Sequence, residues 1–231
     1  TAGGFDWPAF RARLDAELDR LEAAYRGGLE RAGVTVFDPR ATLADAHSVR
    51  LASGRTVSAK HVLIATGRRP FVPATAAAAG VLTSNDIFRL DALPASVLIV
   101  GGGFIACEFA CILNGMGVKV TQFYRGEQIL RGFDGEARGL VAEQMRAAGI
   151  DLRVGCDVMA MEPVPGGTRV VATTGGETVH EKVVYATGRV PNTGGLGLEA
   201  AGVRLGRRGE VAVDGWSQSS VPSIYAVGDV T

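Results

Sequence analysis

Apolar residues between positions 8 and 31 recur at spacings of three and four: Phe10, Leu14, Leu18, Leu21 and Tyr25. Such a stripe predicts an amphipathic helix. Pro8 suits its first turn and Gly33 stops it. Val34 to Phe37 then reads as a short strand. From Ala41 to Ala59 short apolar pieces alternate with turn residues such as Asp45 and Ser53-Gly54, which predicts a small antiparallel hairpin region. His61-Val62-Leu63-Ile64-Ala65 reads as a compact buried strand that ends at Thr66-Gly67. The prolines and alanine run of residues 69 to 80 suit a connector at a domain boundary.

A second unit starts near Ser84. Val97-Leu98-Ile99-Val100 predicts a strand, followed by a helix from about Gly103 to Met116. Val118 to Tyr124 predicts the next strand. Asp134 is placed to cap a helix carrying Leu140, Val141 and Met145, closed by Gly149. Ile150 to Val154 is a third strand. Residues 156 to 180 alternate around Pro165-Gly166-Gly167 and Gly175-Gly176, which predicts an antiparallel meander. Val183 to Ala186 and Ile224 to Val227 are further strands, each ending on a glycine phrase.

Composition narrows the functions open to the chain. Its 231 residues carry 24 basic and 24 acidic side chains. That balance argues against electrostatic binding of nucleic acid or a membrane surface. No apolar run approaches the ~18 residues of a membrane span. Thr1-Ala2-Gly3-Gly4 shows neither the basic nor the apolar region of a secretory signal. Three cysteines make no disulfide framework, so a reducing compartment, the cytoplasm, is expected. No metal-ligand spacing stands out. Glycine is the outlier at 32 residues, about twice its usual share, and without a collagen period it points to tight turns and close backbone approach.

The sharpest signal is Gly101-Gly102-Gly103-Phe104-Ile105-Ala106, which follows a predicted strand and opens a predicted helix. That context is the one a dinucleotide fingerprint requires. Gly101 permits the tight turn, and Gly103 lets the backbone approach a pyrophosphate. Ala106 keeps helix and sheet close. The helix N-terminus offers N–H groups and partial positive charge to the phosphates. An NAD site usually ends its second strand with an acid for the ribose hydroxyls. Here the strand ends Phe123-Tyr124-Arg125, with Arg131 further along the same loop. Two guanidiniums suit a 2′-phosphate, which favours NADPH over NADH. The plain alternative is two solvated surface arginines, with Glu127 nearby. An internal echo also appears, Leu63-Ile64-Ala65-Thr66-Gly67-Arg68 against Val184-Tyr185-Ala186-Thr187-Gly188-Arg189, as of two related nucleotide-binding units.

Together these phrases resemble the glutathione reductase group of pyridine nucleotide-disulfide oxidoreductases. The resemblance runs through Ile99 to Ala106, Glu108-Phe109-Ala110, Tyr124-Arg125-Gly126, Ile129 to Asp134, Ala186 to Thr193 and Ala226 to Thr231. It implies an α/β, Rossmann-like NAD(P)-binding domain over 81–195, with FAD-domain segments over 1–80 and 196–231. Thr66 and Gly67 would touch the flavin, and Gly228 and Asp229 its ribityl-pyrophosphate region. Glu108 would lie near the nicotinamide. Phe104 would cover the flavin where the family often has Tyr. Gly188 and Arg189 would line the nicotinamide path. The implied cofactors are FAD and NADPH, and the implied partner is a small disulfide such as oxidised glutathione, in a homodimeric parent protein.

The departures are informative. The family's flavin fingerprint before its redox site, its cysteine pair and its C-terminal dimerisation domain with a His-Glu pair have no counterpart in these 231 residues. Cys107 and Cys111 lie four apart on a predicted helix, which is not the family's spacing, and small buried residues are the expected role. His47, His61 and His180 are expected to be structural or solvated. The chain is therefore expected to be a fragment that binds nucleotide without turnover. A non-catalytic NAD(P)-sensing module and an NADH-dependent relative, such as a dihydrolipoamide dehydrogenase-like enzyme, are the alternatives.

Overall fold

The order of elements follows the predicted alternation closely in the computed structural model, which describes residues 4–77 and 79–231. The start Thr1-Ala2-Gly3 and Ala78 of the alanine run lie outside the described residues. Helix α1 (Trp7–Arg31) precedes β1 (Ala41–Leu43), β2 (Ser48–Leu51), β3 (Thr56–Ser58), β4 (Val62–Ile64) and β5 (Arg68–Pro70). Short helices α2 (Ala74–Ala77) and α3 (Ser84–Ile87) lead to β6 (Ser96–Val100), α4 (Phe104–Gly115), β7 (Lys119–Tyr124), α5 (Gly135–Ala147) and β8 (Asp151–Val154). Then come β9 (Val158–Val164), β10 (Gly167–Ala172), β11 (Glu177–His180), β12 (Lys182–Tyr185), β13 (Arg189–Pro191) and β14 (Ile224–Ala226), closed by a 3-10 turn at Gly228–Val230.

The chain divides into two compact units. The first holds the segment up to Glu17 together with Pro70–Gly188; the second holds Leu18–Arg69 with Arg189–Thr231. The first unit's bounds at Pro70 and Gly188 fall before the expected 81 and 195, and the segment up to Glu17, expected with the 1–80 piece, belongs to the first unit. The divisions fall where each echo phrase has just closed its strand and turned on its glycine.

In the first unit a four-stranded parallel sheet runs in the order β12-β6-β7-β8. Parallel strands need crossovers, and α4 and α5 supply them. Val97 and Ile99 pack in one core with Ala106, Phe109, Ala110, Leu113 and Met145 from the helices. Leu98 and Val100 face the opposite core with Phe123, Val183, Tyr185 and the meander residues Val170 and Ala172. Both faces of β6 are covered, which is why its sequence is an unbroken apolar run and not an alternating one. The meander β11-β10-β9 is antiparallel, as predicted. Asp134 caps α5, its carboxylate accepting from Glu136 N and Ala137 N at 3.0 and 3.1 Å.

In the second unit β1-β2-β3 form the expected antiparallel sheet, and β4 pairs in parallel with β14. Ile64, Ile224, Ala226, Leu198, Val203 and Val211 make its core.

Four expectations need correcting. Val34–Phe37 forms no strand: Val34 and Val36 are exposed and no neighbouring strand offers a ladder. The α1 stripe forms its helix but is not covered, since Trp7 is its one buried residue and Leu18 and Tyr25 are 51% and 74% exposed. Spacing specified the helix; burial needs a second surface. In β4, Leu63 is likewise exposed while Ile64 is buried. The connector after Arg69 also holds order that its composition hid: β5 pairs with β13 and Ala74–Ala77 is helical.

Candidate functional site

The glycine turn sits where β6 feeds α4. Gly101 has φ +142°, and a Cβ there would fall 2.8 Å from the carbonyl carbon of Ala186 and closer still to its oxygen. Both the dihedral and the space therefore demand glycine. A Cβ on Gly102 would collide with the Tyr124 ring, 2.6 Å from its Cδ1. Gly103 differs: it is extended, at φ −80°, and a Cβ there would meet nothing within 4 Å. The turn is thus closed on the Gly101 side and open on the Gly103 side. Gly103 is the N-cap of α4 and supplies no side-chain cap; no acidic residue stands in the first turn. The first amides of a helix have no intrahelical partner, so those of Phe104, Ile105 and Ala106 are left to an anion or water. Ala106 is fully buried against the sheet, as the fingerprint predicts.

The loop from β7 to α5 is tied to this turn. Leu130 N–H donates to the Gly102 carbonyl at 2.6 Å, with Leu130 held in the left-handed region at φ +56°. The Tyr124 ring fills the space beside both Gly102 and Gly126. Arg125 and Arg131 are exposed on this loop, and among the described residues neither is engaged by a carboxylate, Glu127 included. Two uncommitted guanidiniums thus stand on a loop bonded directly to the glycine turn, a local concentration of positive charge with donors to spare.

Further along the face of α4, Phe104 is 58% exposed and Glu108 is exposed. Gly188 closes the first unit. Its carbonyl accepts from Phe71 N at 3.0 Å, while Thr187 Oγ1 donates to the Phe71 carbonyl at 3.1 Å. The second unit repeats this arrangement from the other echo phrase. Asn192 N donates to the Gly67 carbonyl at 2.9 Å and Thr66 Oγ1 donates to the Asn192 carbonyl at 2.9 Å. The repeated Thr-Gly therefore has a structural task, since each threonine clamps the strand that follows the other phrase. Arg189 is committed too, its Nη2 donating to the Arg68 carbonyl at 2.6 Å.

The four residues expected at a flavin do come together. Thr66-Gly67 follows β4 and Gly228-Asp229 follows β14, and these strands are parallel neighbours. Both glycines adopt positive φ. Asp229 is exposed; its carbonyl accepts from Arg68 Nε at 3.2 Å, and its carboxylate has no hydrogen bond among the described residues. Its carboxylate is free to accept from hydroxyls. Ligands of open α/β sheets bind outside such carboxyl ends.

Sequence reasoning missed Gln122. It is fully buried in β7, and its Nε2 donates to the Gly101 carbonyl at 2.9 Å; its Oε1 has no hydrogen-bond partner among the described residues. The signal was present as a lone amide inside Val120-Thr121-Gln122-Phe123, a strand covered on both faces. It overlooked Tyr124 as well. The cysteines are all free thiols. Cys107 and Cys156 are buried but Cys111 is exposed, so the buried role expected for both helical cysteines holds for one. Burial raises the Cys107 and Cys111 thiols above their ordinary value, away from thiolate chemistry. His180 is buried and its pKa lowered, first by burial and then by Arg153 and Lys119. His47 hydrogen-bonds the Ala59 carbonyl and His61 stacks edge-on against Tyr225. These are structural roles, as expected. Among the described residues no helix is long and apolar enough to cross a membrane, and no cluster of His, Cys, Asp and Glu is set to hold a metal.

The sequence model of the family described as "Pyridine nucleotide-disulphide oxidoreductase" matches residues 3–231. A glutathione reductase of Burkholderia cepacia is 47% identical over the whole of this chain and 51% of its own length. The chloroplastic/mitochondrial glutathione reductase of Pisum sativum is 41% identical over 98% of this chain and 41% of its own. Among solved structures, the Cu(II) complex of the HOCl-induced flavoprotein disulfide reductase RclA from Escherichia coli superposes with a TM-score of 0.90. It is 26% identical, covering 98% of this chain and 53% of that one. The chain spans about half the length of these proteins.

Proposed function

The chain belongs to the pyridine nucleotide-disulphide oxidoreductases, and from that premise we propose that it handles NADPH and part of an FAD site in a disulfide reductase whose substrate is oxidised glutathione. The names of the two glutathione reductases support the substrate. One observation carries the nucleotide: an open, uncapped glycine turn bonded directly to a loop bearing two uncommitted arginines.

Bound NADPH and FAD would supply the redox chemistry, a hydride between them and electrons onward to the disulfide. The chain's own residues bind and orient. Amides at the start of α4 receive the pyrophosphate, with Gly103 leaving room for it. Arg125 and Arg131 receive the 2′-phosphate. Phe104 and Glu108 present an aromatic face and a carboxylate beside the nicotinamide end. Thr66, Gly67, Gly228 and Asp229 hold part of the flavin nucleotide. Cys107, Cys111 and Cys156 take no part, because none is paired and the two on α4 are pushed toward the neutral thiol. The 231-residue chain alone is expected to bind nucleotide without reducing oxidised glutathione, and the parent protein to be a cytoplasmic homodimer.

Titrating NADPH and NADH into the chain and into the Arg125→Ala/Arg131→Ala variant tests this. Losing two charge-assisted contacts should weaken NADPH on the order of a hundredfold and leave NADH unchanged. Unchanged NADPH affinity in the variant would remove the 2′-phosphate assignment.

A further inference from the structure

The loop carrying Arg125 and Arg131 contains Gly126 and Gly132, residues that lose the most freedom when ordered. A clamp for a phosphate must nevertheless present its guanidiniums in fixed places, or ordering them offsets the binding energy. Arg138, one turn into α5, is what spans the loop. Its Nε donates to the Ile129 carbonyl at 2.7 Å and its Nη2 to the Gln128 carbonyl at 2.6 Å. One planar fork therefore grips two consecutive carbonyls, a geometry a lysine cannot copy. Gln128 Nε2 returns a bond to the Gly135 carbonyl at 2.8 Å, and Ile129 is anchored in the core. Leu130, next along, makes the bond to Gly102. The segment 128–130 is thus fastened on three sides, with Arg125 before it and Arg131 immediately after.

We propose that Arg138 is a positioning residue for nucleotide selectivity, holding Arg125 and Arg131 in register for a 2′-phosphate monoester without touching the nucleotide. This rests on the reading of those two arginines as the phosphate clamp. Arg138 is half-buried and two of its donors are spent on carbonyls, so its effect passes through the loop.

The test titrates NADPH, NADH, 2′,5′-ADP and 5′-AMP into the 231-residue chain, Arg138→Met, Arg138→Lys and Arg125→Ala/Arg131→Ala. Arg138→Met should weaken NADPH and 2′,5′-ADP about tenfold, with NADH and 5′-AMP held within about twofold. Arg138→Lys keeps the charge and should show the same selective loss, and it carries the comparison if Arg138→Met does not fold. Adding Arg138→Met to the double variant should change nothing further. Equal weakening of all four ligands would overturn the proposal in favour of a general structural role. An unchanged NADPH affinity in both Arg138 variants, while the double variant loses NADPH, overturns it and leaves the clamp standing. A double variant that keeps NADPH overturns the clamp and the proposal together.

Discussion

Substituting alanine at Gly101 and at Gly103 should separate folding from nucleotide binding. The two glycines lie two residues apart in one turn, yet their surroundings are opposite. At Gly101 a Cβ meets the Ala186 backbone, 2.8 Å from its carbonyl carbon, at a φ of +142°. Neither obstacle can rotate away. Forcing a side chain into that dihedral costs about 1–3 kcal/mol. Displacing the end of β12 from the end of β6, where Ala186 N donates to the Val100 carbonyl at 2.8 Å, adds overpacking of about 1–3 kcal/mol. The sum, roughly 2–6 kcal/mol, is a large share of a typical stability of about 5–15 kcal/mol. At Gly103 the backbone is already extended and nothing lies within 4 Å. Losing a glycine there restricts the unfolded chain by about 0.4–1 kcal/mol, while alanine is a poorer N-cap by about the same amount, so the two terms offset to within about 1 kcal/mol. But the new methyl stands on the open side of the turn, the side the proposed site gives to the pyrophosphate. Urea unfolding followed by circular dichroism, with NADPH titration of each folded variant, reads both effects. Gly101→Ala should lose stability by several kcal/mol, while Gly103→Ala should unfold like the parent chain and bind NADPH at least tenfold more weakly. Undiminished NADPH binding by Gly103→Ala would refute the placement of the pyrophosphate. Undiminished stability of Gly101→Ala would refute the geometry of the turn.

Other consequences follow from buried groups. His180 has a folded pKa below the ordinary 6.5, so the unfolded chain takes up its proton first; stability is full above pH 6.5 and falls as pH drops from there toward the folded value. His180→Gln should flatten that part of a stability-against-pH curve, and an unaltered slope would assign it to other groups. Cys111 alone should react with a thiol reagent in the native chain, slowly, and all three cysteines on unfolding; fast reaction of Cys107 or Cys156 would contradict their burial. Gln122→Met removes a hydrogen bond to Gly101 but also a buried oxygen without a partner. Each change is worth about 1–3 kcal/mol with opposite sign, so stability should move by less than about 1 kcal/mol. A loss above about 3 kcal/mol would mean that Oε1 is partnered.

The fold of the first unit was legible because its pattern and its punctuation agree. The unbroken Val97–Val100 run, the glycines after it and the Asp134 cap each specify local structure without help from distant residues. The glycine turn and the arginine loop were legible for the same reason. What escaped depends on pairing across long separations. Nothing local in Arg68-Arg69-Pro70 announces a strand, because its partner begins at Arg189. Nothing local in Val34–Phe37 reveals that no partner comes. Leu14, Leu18 and Leu21 have the spacing of a core face, and spacing cannot say whether a surface covers them. Gln122 and Arg138 escaped because polar residues were judged by type. Their effect lies in which carbonyl they reach.

The proposed nucleotide site joins the Gly103 end of α4 to the Arg125–Arg131 loop. A crystal structure of the chain soaked with NADPH tests it most directly. Pyrophosphate density should lie against the amides of Phe104 to Ala106, and the 2′-phosphate between the guanidiniums of Arg125 and Arg131. Nucleotide bound with its 2′-phosphate in solvent, away from both arginines, would contradict it.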